Sequence, residues 1–194
     1  MIVREYRRFF SEFLSHPKAV GTFSPSSSIL ARHLADSVDW ESASTILEYG
    51  PGTGAITEEI VSRLPSQTHF YAIEISPKFA DILRKRFPDV CVLEGSVGRA
   101  KTLCEKQGVR NVDTIVSGLP WAAFSAADQD MYLEATMEVL KPGGQFLTLG
   151  HLQGLVLPAA RRFRKKLSTY FSEVHVSKPV WGNMPPAFFY SCRR

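Results

Sequence analysis

The chain opens on an amphipathic pattern. Residues 2 to 14 place Ile2, Val3, Tyr6, Phe9, Phe10, Phe13 and Leu14 at helical spacing on one face, with Arg4, Arg7, Arg8 and Glu12 on or near the other. The pattern predicts a helix that His16-Pro17 ends, because the residue before a proline is pushed out of the helical region. A Ser-rich connector, Thr22 to Ser28, then predicts the cap of a second helix running to about Ser37. From Thr45 onward the period changes. Apolar runs expected as strands near 45–49, 69–75, 90–94, 112–117 and 145–150 alternate with helical stretches. Ser76-Pro77 opens one helix, with serine as N-cap and proline in the first turn. Ser125 with Asp128 starts another, and Pro142-Gly143-Gly144 stops it before a strand. Past a helix near 158–170, two more strand-like runs, about 172–177 and 187–192, are joined by a loop alone and should pair antiparallel.

This alternation predicts an α/β fold. Its centre is a doubly wound, mostly parallel seven-stranded sheet with a C-terminal antiparallel strand pair, preceded by the N-terminal amphipathic helix. The 194 residues suffice for one globular unit and are short for two, so the division expected is 1–38 for amphipathic and lid helices and 39–194 for the main domain.

Composition changes the picture little. The apolar fraction of 44% and charged fraction of 22% are ordinary for a globular protein. A net charge of +4 permits an acidic partner, anionic lipid or nucleic acid, without demanding one. Cys91, Cys104 and Cys192 show no metal-ligand spacing, and their odd number favours reduced thiols and a cytoplasmic location. The longest apolar region, Phe146 to Ala160, is interrupted by Gly150, His151, Gln153 and Gly154 and is too short to span a bilayer. Arginines interleaved with aromatics at the N-terminus are not expected to form a signal peptide.

The chemistry begins at Glu48-Tyr49-Gly50-Pro51-Gly52-Thr53-Gly54, directly after the apolar run Thr45-Ile46-Leu47. Three glycines at a strand-to-helix junction let the backbone come close to a bound small molecule. Gly50, Gly52 and Ala55 satisfy the dinucleotide fingerprint G-x-G-x-x-G/A, and Glu74 ends the next strand where an acid can take ribose hydroxyls. Glu48 favours a different occupant. A carboxylate there suits a cofactor carrying positive charge and is awkward beside a pyrophosphate; S-adenosylmethionine carries a sulfonium and an ammonium and no phosphate.

Over residues 45 to 194 the chain resembles the class I S-adenosylmethionine-dependent methyltransferases, terminal antiparallel pair included. The resemblance implies that Gly50, Pro51, Gly52, Thr53 and Gly54 pass under the cofactor, with Glu48 beside them, and that Glu74 holds its ribose hydroxyls, Ile75 also belonging to the cofactor set. Gly95 and Ser96 would meet the adenine, Ser96 standing where many relatives have aspartate, and Ser117 completes the cofactor set. Ser117-Gly118-Leu119-Pro120-Trp121 resembles the N-L-P-Y and D-P-P-Y motifs of amino-group methyltransferases. In those, a polar side chain and a carbonyl hold the target nitrogen while the aromatic ring packs on the substrate. Gly118, Leu119, Pro120 and Trp121 are the catalytic residues this implies. Gly118 occupies the Asn/Asp position, which leaves the carbonyls of Gly118 and Leu119 and suits an aliphatic amine.

Gly21 to Ser27, Gly118 to Pro120 and Trp181 to Ala187 together look like the bacterial phospholipid N-methyltransferases. These convert phosphatidylethanolamine towards phosphatidylcholine, and close relatives methylate ornithine lipids. The resemblance implies that Phe23, Ser24 and Ser26 close over the methionine end of the cofactor. Trp121, His151, Trp181, Asn183 and Tyr190 become candidates for the substrate pocket; Gly182 stands where many members are basic. Arg4, Arg7, Arg8, Phe9, Phe10 and Phe13 fit a peripheral helix in a lipid interface, and Arg161, Arg162, Arg164, Lys165 and Lys166 add a second basic stretch. The partners expected are an anionic membrane surface and an aminophospholipid, at the inner face of the membrane, with no nucleic acid. An RNA adenine N6-dimethyltransferase is the rival, lacking its asparagine and its extra helical domain here; a nucleotide-binding oxidoreductase or non-catalytic module is a second.

Overall fold

The structure is a computed structural model and describes residues 28–194. The helix expected over 2–14, with Arg4, Arg7, Arg8, Phe9, Phe10 and Phe13, and the lid residues Phe23, Ser24 and Ser26 lie outside the described residues.

The elements follow the alternation: α1 (Ser28–Asp36), β1 (Thr45–Tyr49), α2 (Ala55–Val61), β2 (His69–Glu74), α3 (Pro77–Arg86), β3 (Cys91–Glu94), α4 (Ala100–Glu105), β4 (Val112–Ser117), α5 (Ala126–Val139), β5 (Leu140–His151), α6 (Pro158–Tyr170), β6 (Glu173–Val176) and β7 (Ala187–Arg193). They build a seven-stranded sheet in the order β3-β2-β1-β4-β5-β7-β6. β1 to β5 run parallel, and β7 runs antiparallel to both β5 and β6. The strand order reverses between β1 and β4, so the loops leaving these two strands border the crevice where such sheets bind ligands.

Side chains alternate across the sheet and both faces are covered, which is why the strands read as nearly unbroken apolar runs. On one face Leu47, Tyr49, Ile73, Ile115 and Phe146 pack against Cys104 of α4, Leu133 of α5 and Phe163 of α6. On the other, Ile46, Ala72, Val116 and Leu147 pack against Ala31 and Leu34 of α1 and Ile56 and Ile60 of α2. Each Val, Leu, Ile or Phe among them contributes about 1.5–3 kcal/mol on burial. Glu48 shares the second face with Ile46 by parity, so the sheet carries a carboxyl group into an apolar layer. Gln145 fastens α1 to the sheet: its amide donates to the Ser37 carbonyl (2.9 Å) and its oxygen accepts the Asp39 N–H (3.0 Å). Among the described residues no helix is long and apolar enough to cross a membrane.

Two local expectations differ from the outcome. The fifth strand starts at Leu140 rather than 145, because α5 feeds the sheet directly; Val112 pairs with Leu140, the next pair is Thr114 with Gln145, and Pro142-Gly143-Gly144 lie in the register shift between them. Ser76 sits at the N-cap of α3 but makes no side-chain cap bond. The Ser76 N–H donates instead to Glu74 Oε1 (2.8 Å).

Candidate active site

The loop leaving β1 is shaped by glycine. Gly50 (φ 65°) and Gly52 (φ 58°) adopt the left-handed conformation that side chains disfavour. Their surroundings differ. A Cβ on Gly50 would lie 2.7 Å from Leu119 Cδ2, whereas one on Gly52 would meet nothing within 4 Å and would project into open space. Gly50 is needed for packing; Gly52 keeps a surface clear. Gly54 caps α2 against the ring of Phe87, the Gly54 N–H donates to the Pro51 carbonyl (2.9 Å), and Arg86 donates to the Thr53 carbonyl. Pro51, Thr53 and Gly54 therefore build the turn rather than its open face.

Two buried carboxyl groups stand behind this loop. Glu74 accepts the Gly52 N–H at Oε2 (3.0 Å) and the Ser76 N–H at Oε1 (2.8 Å), tying the glycine loop to the tip of β2. Burial raises its pKa, and the amide bonds oppose the rise. Glu48 is fully buried. Its Oε2 accepts the Thr57 hydroxyl (2.7 Å), while Oε1 has no hydrogen-bond partner among the described residues. Burial pushes its pKa up to about 8, the Thr57 bond opposes this, and the nearby Glu74 adds to it. The Glu48 carboxyl thus keeps its proton at pH 7 in this surrounding. A buried carboxyl oxygen lacking a donor beside a glycine cradle fits a ligand that brings positive charge.

Gly50, Glu74, Ile75, Gly95 and Ser96 come together around one cleft, completed by Ile73, Val97 and Leu119. Its walls are mostly apolar, which suits the flat face of a base. The Ser96 hydroxyl caps the short turn that follows, accepting the Gly98 N–H (3.3 Å).

The tip of β4 is organised differently, and here the structure corrects the sequence reading. The Gly118 N–H donates to the Tyr49 carbonyl (2.9 Å), and a Cβ on Gly118 would lie 2.9 Å from the Gly50 carbonyl oxygen. The missing Asn/Asp side chain is thus a steric necessity: the two strand tips approach too closely for it. Ser117 does not line that cleft. It is buried, and its Oγ accepts the Trp121 indole N–H (3.0 Å) and the Leu119 N–H (3.3 Å). Trp121 does not face a substrate either. It is 2% exposed, stacked on Phe163 (centroids 4.5 Å apart) with Phe124, Tyr132 and Phe146 edge-on around it. The indole turns inward because the core supplies an acceptor and a ring face together. The Leu119 carbonyl is used as well, accepting the Trp121 N–H (3.0 Å). Among the described residues the Gly118 carbonyl accepts no hydrogen bond, and it is the free acceptor of the turn.

The remaining substrate candidates scatter. Tyr190 is a core residue packed on Phe163 and Phe188. Asn183 is buried, its amide donating to the Pro185 carbonyl (2.6 Å), so it shapes its own loop. Trp181 stands out from the surface, 71% exposed, rather than in a pocket. His151 ends β5 at the ligand edge, half-buried; burial lowers its pKa and a bond to the Pro185 carbonyl opposes this. Two residues of the site escaped the sequence reading. Thr57 holds Glu48, and its signal was a polar residue between Ile56 and Ile60 on the buried face of α2. Gln129 is buried and donates to the carbonyls of Trp121 (2.8 Å) and Ala159 (3.1 Å), joining the β4 turn to α6; an interior polar residue on α5 was its only trace.

Comparison with known proteins bears on the family. Residues 46–144 match a methyltransferase domain family. The ornithine lipid N-methyltransferase of Singulisphaera acidiphila is 30% identical over 98% of this chain and 97% of its own length. The ribosomal RNA small subunit methyltransferase A of Chlorobium phaeobacteroides is 45% identical, but over 26% of this chain and 18% of its own. Among solved structures, the O-methyltransferase from Bacillus cereus in complex with SAH superimposes with a TM-score of 0.70 at 20% identity, covering 95% of this chain and 90% of that one. A glycine loop with an acid behind it, a second acid at the β2 tip, a terminal antiparallel strand and these likenesses converge, and the chain belongs to the class I S-adenosylmethionine-dependent methyltransferases.

Proposed function

We propose that this enzyme methylates the amine headgroup of a membrane lipid, phosphatidylethanolamine towards phosphatidylcholine or a related aminolipid, at the inner face of the membrane. The observation that carries the reading is the β4 turn: the close approach of Gly118 to Gly50 removes the side-chain acceptor and leaves one free carbonyl. A single carbonyl can orient an sp³ amine, whereas a planar base amino group asks for two acceptors. The full-length likeness to an ornithine lipid N-methyltransferase supports the same substrate class.

The residues assigned to the cofactor are Glu74 for the ribose hydroxyls, Glu48 for the cationic methionine end, Gly52 for the surface that must stay clear, and the apolar walls with Ser96 for the adenine. The bound cofactor supplies a methyl group activated by a sulfonium. The chain supplies position and dryness. An amine with a lysine-like pKa is neutral in roughly one part per thousand at pH 7, a cost of about 4–5 kcal/mol. The low-dielectric setting made by Leu119 and the buried strand ends favours the neutral form, and the Gly118 carbonyl accepts an N–H so that the lone pair points at the methyl.

The local likeness to ribosomal RNA methyltransferases keeps an RNA adenine substrate as the rival. Incubation with radiolabelled S-adenosylmethionine, mixed lipids and ribosomal RNA decides between them. Label in an aminophospholipid or ornithine lipid is the expected outcome; label confined to RNA adenine sinks the reading.

A further inference from the structure

The residues around 152–157 and 181–186 leave β5 and lead into β7 at the carboxyl edge of the sheet, the edge that carries the glycine loop and Gly118. They lie side by side, since the Leu152 N–H donates to the Pro186 carbonyl (3.0 Å) and His151 pairs with Ala187. The first turn of α1 adjoins them: a Cβ on Gly182 would lie 2.9 Å from Ile29 Cδ1. This rim is unusually apolar. Val156 is 70% exposed, Trp181 71% and Met184 80%, and Leu155, Leu157 and Ile29 are exposed as well. Large apolar side chains scattered singly over a surface are unremarkable, but a contiguous set marks an interaction surface. Tryptophan is the side chain best suited to a boundary between water and lipid.

Charge identifies the occupant. Residues 151–194 hold eight lysines and arginines against one acidic residue, Glu173. α6 starts directly after Leu157, and Arg161 Nε donates to the Leu155 carbonyl (3.4 Å), which joins the basic helix to the apolar rim. Lys166 is paired with Asp130 (2.5 Å), whereas among the described residues the exposed Arg161, Arg162, Arg164 and Lys165 have no carboxylate partner. A second copy of this chain would bring the same cations to the contact and be repelled. Apolar side chains flanked by unpaired cations complement an anionic bilayer, into which the former insert while the latter meet the headgroups.

We infer that the rim of residues 152–157 and 181–186, with the basic face of α6, is a docking surface for an anionic lipid bilayer, separate in sequence from the amphipathic pattern at 2–14. It rests on the lipid-methylating reading above for its purpose: with the rim inserted, the cleft opens at headgroup level and an amine can reach the Gly118 carbonyl without leaving the membrane. The test uses the full chain and vesicles of phosphatidylcholine alone or mixed with phosphatidylglycerol. The parent protein should cosediment with the mixed vesicles, and doxyl-labelled phosphatidylcholine should quench its tryptophan emission, an effect lost in Trp181→Phe. The double variant Val156→Ser/Met184→Ser should bind the mixed vesicles about tenfold more weakly while methylating a monomeric short-chain phosphatidylethanolamine as fast as the parent. Undiminished vesicle binding by the double variant, or no quenching at Trp181, overturns the docking surface. So does sedimentation showing a dimer that the double variant dissociates, without lipid binding. If the parent docks with Trp181 quenched and yet methylates no lipid, the docking surface stands and the proposed substrate falls.

Discussion

The tips of β1 and β4 are neighbours in the sheet and hold opposite kinds of order. The β1 tip is polar and inwardly wired: the Gly52 and Ser76 amides converge on Glu74, and Glu48 lies buried with one oxygen bonded and one that meets no donor among the described residues. The β4 tip is apolar and inwardly packed, with Ser117, Leu119 and Trp121 all buried and the Gly118 carbonyl left over among the described residues. One tip can recognise charge through groups held ready by hydrogen bonds. The other recognises shape, because its aromatic anchor fixes a main-chain atom in place. The proposed reaction needs both, a cationic donor held by carboxyl groups and an amine held without a counter-charge that would keep it protonated.

Trp121→Ala breaks the comparison most directly. If the ring is the anchor of the β4 turn, its loss costs about 3–5 kcal/mol of stability, read as a fall in the thermal midpoint. If it lined an acceptor site, the midpoint would hold and kcat/KM alone would drop. Gly52→Val attacks the other tip. A β-branched side chain at positive φ, aimed into open space, should cost about 1–3 kcal/mol in strain and weaken S-adenosylmethionine binding at least about a hundredfold by calorimetry. Retained binding would remove the loop from the cofactor site.

Glu48→Gln sharpens the contrast through pH. The folded pKa of Glu48 lies near 8 against an ordinary 4.5, so the folded state binds the proton more tightly than the unfolded one. Its contribution to stability is therefore full below 4.5 and is lost as pH rises towards 8. Binding a cation has the opposite slope, since it requires the carboxylate and releases the proton. Cofactor affinity of the parent should rise with pH up to about 8, and in Glu48→Gln it should be flat and about tenfold weaker at pH 8. An unchanged pH profile would take Glu48 out of cofactor binding. The smallest effect belongs to Ser117→Ala, which removes the acceptor of the Trp121 indole and should cost about 1 kcal/mol, with cofactor affinity untouched. A large loss of affinity there would return Ser117 to the cofactor set.

The two tips also differ in how far they could be read in the chain. At β1, function lies in backbone conformation and in acids at strand ends, and both are local: three glycines within five residues, then Glu74 one strand later. The order of elements was legible for the same reason, from α6 at Pro158–Tyr170 to the antiparallel β7. At β4 and β7 the reading took Trp121 and Tyr190 outward. Their direction depends on Phe163, Gln129 and Phe188, which reach the site through folding rather than through spacing. Pro142-Gly143-Gly144 misled in a related way, because the same residues serve a helix stop and a strand irregularity.

By itself, then, the sequence determined a doubly wound sheet, a glycine cradle and the acids that flank it, because period, φ and terminal charge are properties of short stretches. The tertiary structure alone decided that position 118 has no room for an asparagine, that Glu48 keeps an oxygen unmet among the described residues, and that the aromatics Trp121 and Tyr190 face inward. Each of these follows from an approach between strands distant in the chain, such as the 2.9 Å that would separate a Gly118 side chain from the Gly50 carbonyl. Distances of that kind are set when the layers pack, and no local pattern encodes them.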